Sequence, residues 1–113
     1  MSLDLRAMAQ NYVQSKLSAS KVTMFEKISC PFCVRAKGIL QKYKFKEGHL
    51  EIINIANLDI LNSVQDYFLQ ITGERTVPRI FIGEKCIGGC SDLVPLDGSG
   101  ELEKMLISLG ALQ

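Results

Sequence analysis

The sequence predicts one small α/β domain, a mixed sheet covered by helices on both faces. Three observations predict it. "KVTMFEK", a helical stripe and "HLEIINI" follow one another as strand, helix and strand. "RIFIG" and "KCIGG" form a hairpin pattern further on, and apolar stripes at helical spacing stand before, between and after these segments. A length of 113 residues suits one domain with its own core.

In chain order, Met8, Tyr12, Val13 and Leu17 are spaced as on one face of a helix. Residues 1–7 precede that stripe and read as an N-terminal extension, disordered or left by cloning, with the domain proper over residues 8–113. Ser18 and Ser20 bound a short run containing Val22, Thr23 and Phe25, β-branched and aromatic residues that suit a buried strand. Ala36, Ile39, Leu40 and Tyr43 recur at i, i+3, i+4 and i+7, so a helix starts near Cys30 and Cys33. Gly38 costs that helix about 1 kcal/mol relative to alanine, which does not overturn the pattern.

Isoleucine-rich "HLEIINI" follows Gly48 as a second strand. Val64, Tyr67, Phe68 and Ile71 give a third helical stripe, with Gly73 as its C-cap. The hairpin strands are joined through Gly83, Glu84 and Lys85. Leu102, Met105, Leu106 and Leu109 form a last helix before Gly110, so the expected order is α-β-α-β-α-β-β-α.

Composition narrows the function. Hydrophobic residues at 47% and charged residues at 22% leave no argument for disorder, so function must come from a site. Thirteen Lys and Arg against twelve Asp and Glu give a net charge of +1, which argues against a nucleic-acid partner. No apolar run approaches the roughly 20 residues of a membrane span, and "MSLDLRAMAQ" lacks the regions of a secretory signal. The expectation is a cytoplasmic protein with no membrane partner, where thiols stay reduced. Its four cysteines therefore point to catalysis or metal binding rather than to structural staples.

In "SCPFC", Cys30 as N-cap would put Pro31 at the first helical position, where its missing N–H costs nothing. Cys33 then lies on the same helix face, with Cβ atoms roughly 5–6 Å apart, near disulfide reach. Cys30 would face unpaired N–H groups and the positive end of the helix dipole, which favour thiolate over thiol. Lys27 and Arg35 add positive charge nearby, while Cys33 is shielded by Phe32 and the helix body. The asymmetry makes Cys30 the nucleophile and Cys33 the resolving thiol.

A CxxC pair also suits half of a zinc site, and Cys86 with Cys90 would complete a four-cysteine set. The strand-to-helix position favours redox chemistry, and no metal is expected. Cys86 and Cys90 bracket "IGG", whose glycines permit a second disulfide; two ordinary thiols are the alternative. His49, the lone histidine, has no triad partner near it in sequence, and "QKYKFKEG" reads as a solvated face.

"CPFC", "TVPRIFIG" and "CIGGCSDL", in that order, resemble the dithiol glutaredoxins, also called thioltransferases, and among them the small cytosolic vertebrate kind, down to the ending "GELEKMLISLGALQ". The resemblance runs from about Met8 to Gln113. It implies a thioredoxin-like fold with a four-stranded mixed sheet. It implies reduction of protein–glutathione mixed disulfides and of small or protein disulfides, by a monomer with glutathione as co-substrate and no tightly bound cofactor. By the same resemblance Pro78 would be cis, bringing Thr76 and Val77 beside Cys30, and the Val77 backbone would pair with the cysteine residue of glutathione. Gly89, Cys90, Ser91 and Asp92 would hold its γ-glutamyl end, with helix-start N–H groups on the carboxylate and Asp92 on the ammonium. Lys27 and Gln65 match the family's contacts to the glycine carboxylate. Phe32 supplies an apolar wall where tyrosine is common, and Ser29 stands where threonine is common. Some relatives hold an iron–sulfur cluster on the first cysteine and glutathione; those usually carry another residue in place of Pro31, so no cluster is expected.

Overall fold

The computed structural model describes residues 3–113. Its elements are α1 (Leu3–Lys16), β1 (Val22–Glu26), α2 (Pro31–Leu40), β2 (Leu50–Asn54), α3 (Leu61–Thr72), β3 (Arg79–Ile82), β4 (Lys85–Gly88), α4 (Cys90–Gly98) and α5 (Glu101–Leu109). The sheet order is β2-β1-β3-β4. β1 runs parallel to β2 and antiparallel to β3, and β3 pairs antiparallel with β4 across an irregularity at Ile80/Phe81. The expected four-stranded mixed sheet with helices on both faces is what forms.

Alternation along the strands sorts the core into two halves. Val22 and Met24 of β1 and Ile80 and Ile82 of β3 pack with Ala36 and Leu40 of α2, Leu93 of α4 and Leu102 and Leu106 of α5. Phe25 and Phe81 point the other way, to Ala9 and Val13 of α1 and Val64 and Phe68 of α3. Both faces being covered, all five residues of β1 are buried. Phe25 meets Phe68 at 5.2 Å and Phe81 at 5.9 Å between ring centroids, tilted and edge-on, as aromatic quadrupoles prefer.

The structure departs from the sequence reading at the chain start, after β4 and at the hairpin turn, and of the apolar stripes Tyr43 lies beyond the end of α2 while Met8 and Ile71 are exposed. Of the expected extension over residues 1–7, residues 3–7 are helical; Asp4 in the first turn of α1 suits the positive end of its dipole, and residues 1 and 2 lie outside the described residues. Two helices rather than one follow β4. α4 carries Pro95 within it and buries only Cys90 and Leu93, so neither propensity nor periodicity announces it. The hairpin turn is Gly83 and Glu84 alone, with Gly83 at φ 65°, and Lys85 already belongs to β4.

Just past α2, the Tyr43 hydroxyl and the Lys42 ammonium (2.7 Å) both donate to Asp97 at the end of α4. These bonds, Lys42 first, hold the Asp97 carboxyl below its ordinary value. A lowered folded-state value means that the contribution is present above the unfolded value and is lost as pH falls through the folded one. Urea unfolding of native protein and Asp97→Asn should therefore differ most at neutral pH, and the difference should narrow below about pH 4. An equal difference at pH 3 and pH 7 would refute the assignment.

Candidate active site

The end of β1 delivers the chain to Cys30, which sits in extended conformation (φ −93°, ψ 113°) as the N-cap of α2, with Pro31 at the helix start. Cys30 Sγ accepts the Cys33 backbone N–H at 3.2 Å, as a capping oxygen would, and lies 3.8 Å from the Val77 carbonyl oxygen. Negative charge on this sulfur is met by that N–H and by the positive end of the helix.

Cys30 is half-buried, whereas Cys33 has no exposed surface. The Cys33 thiol is pushed well above the usual thiol range, first by burial and next by its hydrogen bond with Cys30. A hydrogen bond with the Lys27 backbone opposes this, and the charges of Cys30 and Glu26 add to it. The two sulfurs are thus unequal in burial, and Cys33 holds its proton more tightly than an ordinary thiol.

The Val77–Pro78 peptide is cis and leads into β3. A cleft of about 480 Å³ opens here, walled by three segments distant in sequence: Phe32 and Arg35 from α2, Thr76 to Arg79, and Gly89 to Ser91 with Val94 around α4. Seven residues singled out from the sequence, Phe32, Thr76, Val77, Pro78, Gly89, Cys90 and Ser91, meet in this one cleft.

Cys30, Cys33, Cys86, Lys27, Gln65 and Asp92 are not part of the cleft lining. Lys27 Nζ donates to Gln65 Oε1 at 3.2 Å, and buried Gln65 donates through Nε2 to the Arg75 carbonyl at 2.9 Å. The pair ties the loop before Cys30 to α3 and to the residue preceding Thr76. Asp92 Oδ2 accepts the Gly89 N–H at 3.0 Å and closes a cap at the start of α4. A Cβ on Gly88, at φ 113°, would stand 2.1 Å from that oxygen, so this position takes glycine.

Sequence reasoning missed Arg79 and Val94 as cleft residues and read Arg35 only as nearby charge. Arg79 is buried and donates from Nε to the Pro78 carbonyl (3.2 Å) and from Nη1 to Thr72 Oγ1 (3.3 Å). Its position directly after "TVP" was the available signal. Arg35 lies three residues after Phe32 and Val94 three after Ser91, spacings that put each pair on one helix face.

Cys86 and Cys90 are free thiols in this structure. Burial pushes the Cys86 thiol up, against the lowering effect of the Gly88 N–H and Arg79. Among the described residues, no group of three or more His, Cys, Asp and Glu side chains is arranged to hold a metal ion. His49 Nδ1 lies 2.7 Å from the Ser20 carbonyl oxygen, a contact between the loops flanking β1 and β2.

The sequence model of the glutaredoxin family matches residues 22–87. The chain is 52% identical over 106 residues to Glutaredoxin-1 of Homo sapiens, covering 94% of this chain and 100% of that protein. It is 49% identical over 106 residues to Glutaredoxin-1 of Monkeypox virus, covering 94% and 98%. Among solved structures, a buckwheat glutaredoxin–glutathione complex matches with a TM-score of 0.90 at 29% identity, all of both chains being covered. Oxidized glutaredoxin 2 from Chlamydomonas reinhardtii matches with a TM-score of 0.85 at 37% identity, over 95% of this chain and 98% of that one.

Proposed function

The chain belongs to the glutaredoxin family and is a glutathione-dependent thiol–disulfide oxidoreductase, and from that premise we propose how its residues divide the work. The Cys30 thiolate attacks the glutathionyl sulfur of a protein–glutathione mixed disulfide. The Cys30–glutathione bond forms, the old disulfide breaks, and the target leaves as a thiolate that takes a proton from solvent. A second glutathione thiolate then attacks the Cys30-bound glutathionyl sulfur, releasing oxidised glutathione and restoring Cys30. With protein disulfides Cys33 completes the exchange by closing on Cys30.

In this reading the cleft holds glutathione. Its cysteine residue pairs with the Val77 backbone, and its γ-glutamyl carboxylate meets the start of α4 at Gly89, Cys90 and Ser91. Asp92 aligns that turn and takes the ammonium; Lys27 and Gln65 take the glycine carboxylate, and Phe32 supplies an apolar wall. One observation carries the assignment: Cys30 Sγ is held between a helix N-terminus and the carbonyl of Val77, a residue that lines the cleft. The working unit in this reading is a monomer. A cytoplasmic setting supplies reduced glutathione, and the cycle calls on no cofactor beyond it. Near-neutral charge supports neither nucleic acid nor an anionic membrane as partner.

Incubating Cys33→Ser with oxidised glutathione and mapping the adduct by mass spectrometry tests this. One glutathione on Cys30 is the expected product. Modification of Cys86 or Cys90 ahead of Cys30 would overturn the assignment.

A further inference from the structure

Arg79 enters no step of the cycle above, yet it is a buried cation in the wall of the cleft. It opens β3 directly after Pro78 and is 6% exposed, whereas Arg35, the other cation of the lining, is exposed. No Asp or Glu lines this cleft. Two of the three guanidinium nitrogens of Arg79 are committed, Nε to the Pro78 carbonyl and Nη1 to Thr72 Oγ1. Among the described residues Nη2 has no hydrogen-bond partner and Arg79 forms no ion pair; the ion pairs join Lys21 to Glu51, Lys37 to Glu26, Lys42 to Asp97 and Arg75 to Asp66.

A Cβ on Gly89 would stand 3.0 Å from Arg79 Nη2, so the uncommitted nitrogen lies against the backbone at the N-cap of α4. The first N–H groups of that nine-residue helix, at Cys90 and Ser91, have no intrahelical partner. Asp92, in the same turn, gives Oδ2 to the Gly89 N–H. A whole positive charge is thus held out of water beside a helix N-terminus, with no protein anion paired to it. Burial of a charge without a partner is unfavourable, and screening there is weak, so an anion entering this end of the cleft gains more than it would at the surface.

We propose that Arg79 is a specificity-determining residue, the buried counter-charge for the α-carboxylate of the γ-glutamyl residue of glutathione. This rests on the reading above that places the γ-glutamyl end at Gly89, Cys90 and Ser91. The helix start offers N–H donors to the carboxylate, and Arg79 adds its charge from behind Gly89. Pro78 and Thr72 fix the guanidinium fork before the substrate arrives, so little ordering remains to be done on binding. Cysteinylglycine, which is glutathione without its γ-glutamyl residue, has no carboxylate to present there. The cation therefore favours glutathionyl over cysteinylglycinyl mixed disulfides.

The test compares the native protein, R79K and R79Q, fully reduced, on one peptide carried as its mixed disulfide with glutathione or with cysteinylglycine. Release of the peptide thiol, followed by mass spectrometry over a range of concentrations, gives kcat and KM. In R79Q the KM for the glutathionyl peptide should rise about tenfold, the loss of one charge-assisted interaction, with kcat nearly unchanged. Its kcat/KM for the cysteinylglycinyl peptide should stay within about twofold of native, since that substrate makes no use of the charge. R79K should recover most of the native selectivity. An equal loss on both substrates would mark Arg79 as a brace for the cleft and overturn the proposal, as would an unchanged R79Q or an R79K no better than R79Q. Should R79Q fail to fold by circular dichroism, R79K decides: native-like selectivity supports the charge, and selectivity lost in a folded R79K overturns it. A native protein with no preference for the glutathionyl peptide would instead overturn the γ-glutamyl placement itself.

Discussion

Cys30→Ser is expected to abolish turnover of glutathionylated substrates, a loss on the order of a thousandfold or more. A serine hydroxyl is not a nucleophile toward disulfide sulfur near neutral pH, and Cys33 cannot take over. Cys33 is fully buried and its thiol is driven toward the protonated form, first by burial and then by its bond with Cys30. Cys33→Ser should keep most of the activity on glutathione mixed disulfides while losing reduction of protein disulfides, which needs internal closure. A coupled assay with glutathione, glutathione reductase and a glutathionylated peptide measures both variants. Near-native activity in Cys30→Ser would overturn the mechanism.

Phe25→Ala should destabilise the protein by about 3–5 kcal/mol, the usual cost of emptying a buried aromatic site. Phe25 is fully buried and touches both Phe68 and Phe81, so its removal strips contacts from β1, β3 and α3 together. Since domains of this kind hold only about 5–15 kcal/mol in total, the unfolding midpoint should fall sharply. The loss also reaches the site, because β1 is the strand that carries the chain to Cys30. Urea unfolding checks it; a change under about 1 kcal/mol would mean that the aromatic trio does not organise this half of the core.

Much of this was legible in the chain. Val22, Phe25, Ala36, Leu40, Val64 and Phe68 were picked out by spacing and are buried core residues. Cys30 as an N-cap before Pro31 followed from local chemistry, since a cap depends on a handful of neighbouring residues. α4 was less legible: its Pro95 contradicts local propensity, and the helix survives because Leu93 and Cys90 are buried in the core. Arg79 was missed because a charged residue inside a strand gives no periodic signal of what it will face.

What the sequence by itself determined is whatever depends on neighbours along the chain: the strand and helix patterns, the capping geometry of Cys30, and three motifs spaced for one site. Tertiary structure alone decided which distant groups would meet. It put the Val77 carbonyl 3.8 Å from Cys30 Sγ, joined Lys27 to Gln65, turned Asp92 to cap its own helix, and set Glu26 against Lys37. The reason is physical. A local preference is settled by steric and hydrogen-bonding terms within a few residues, whereas the meeting of buried polar groups depends on how the sheet and its two helical layers pack.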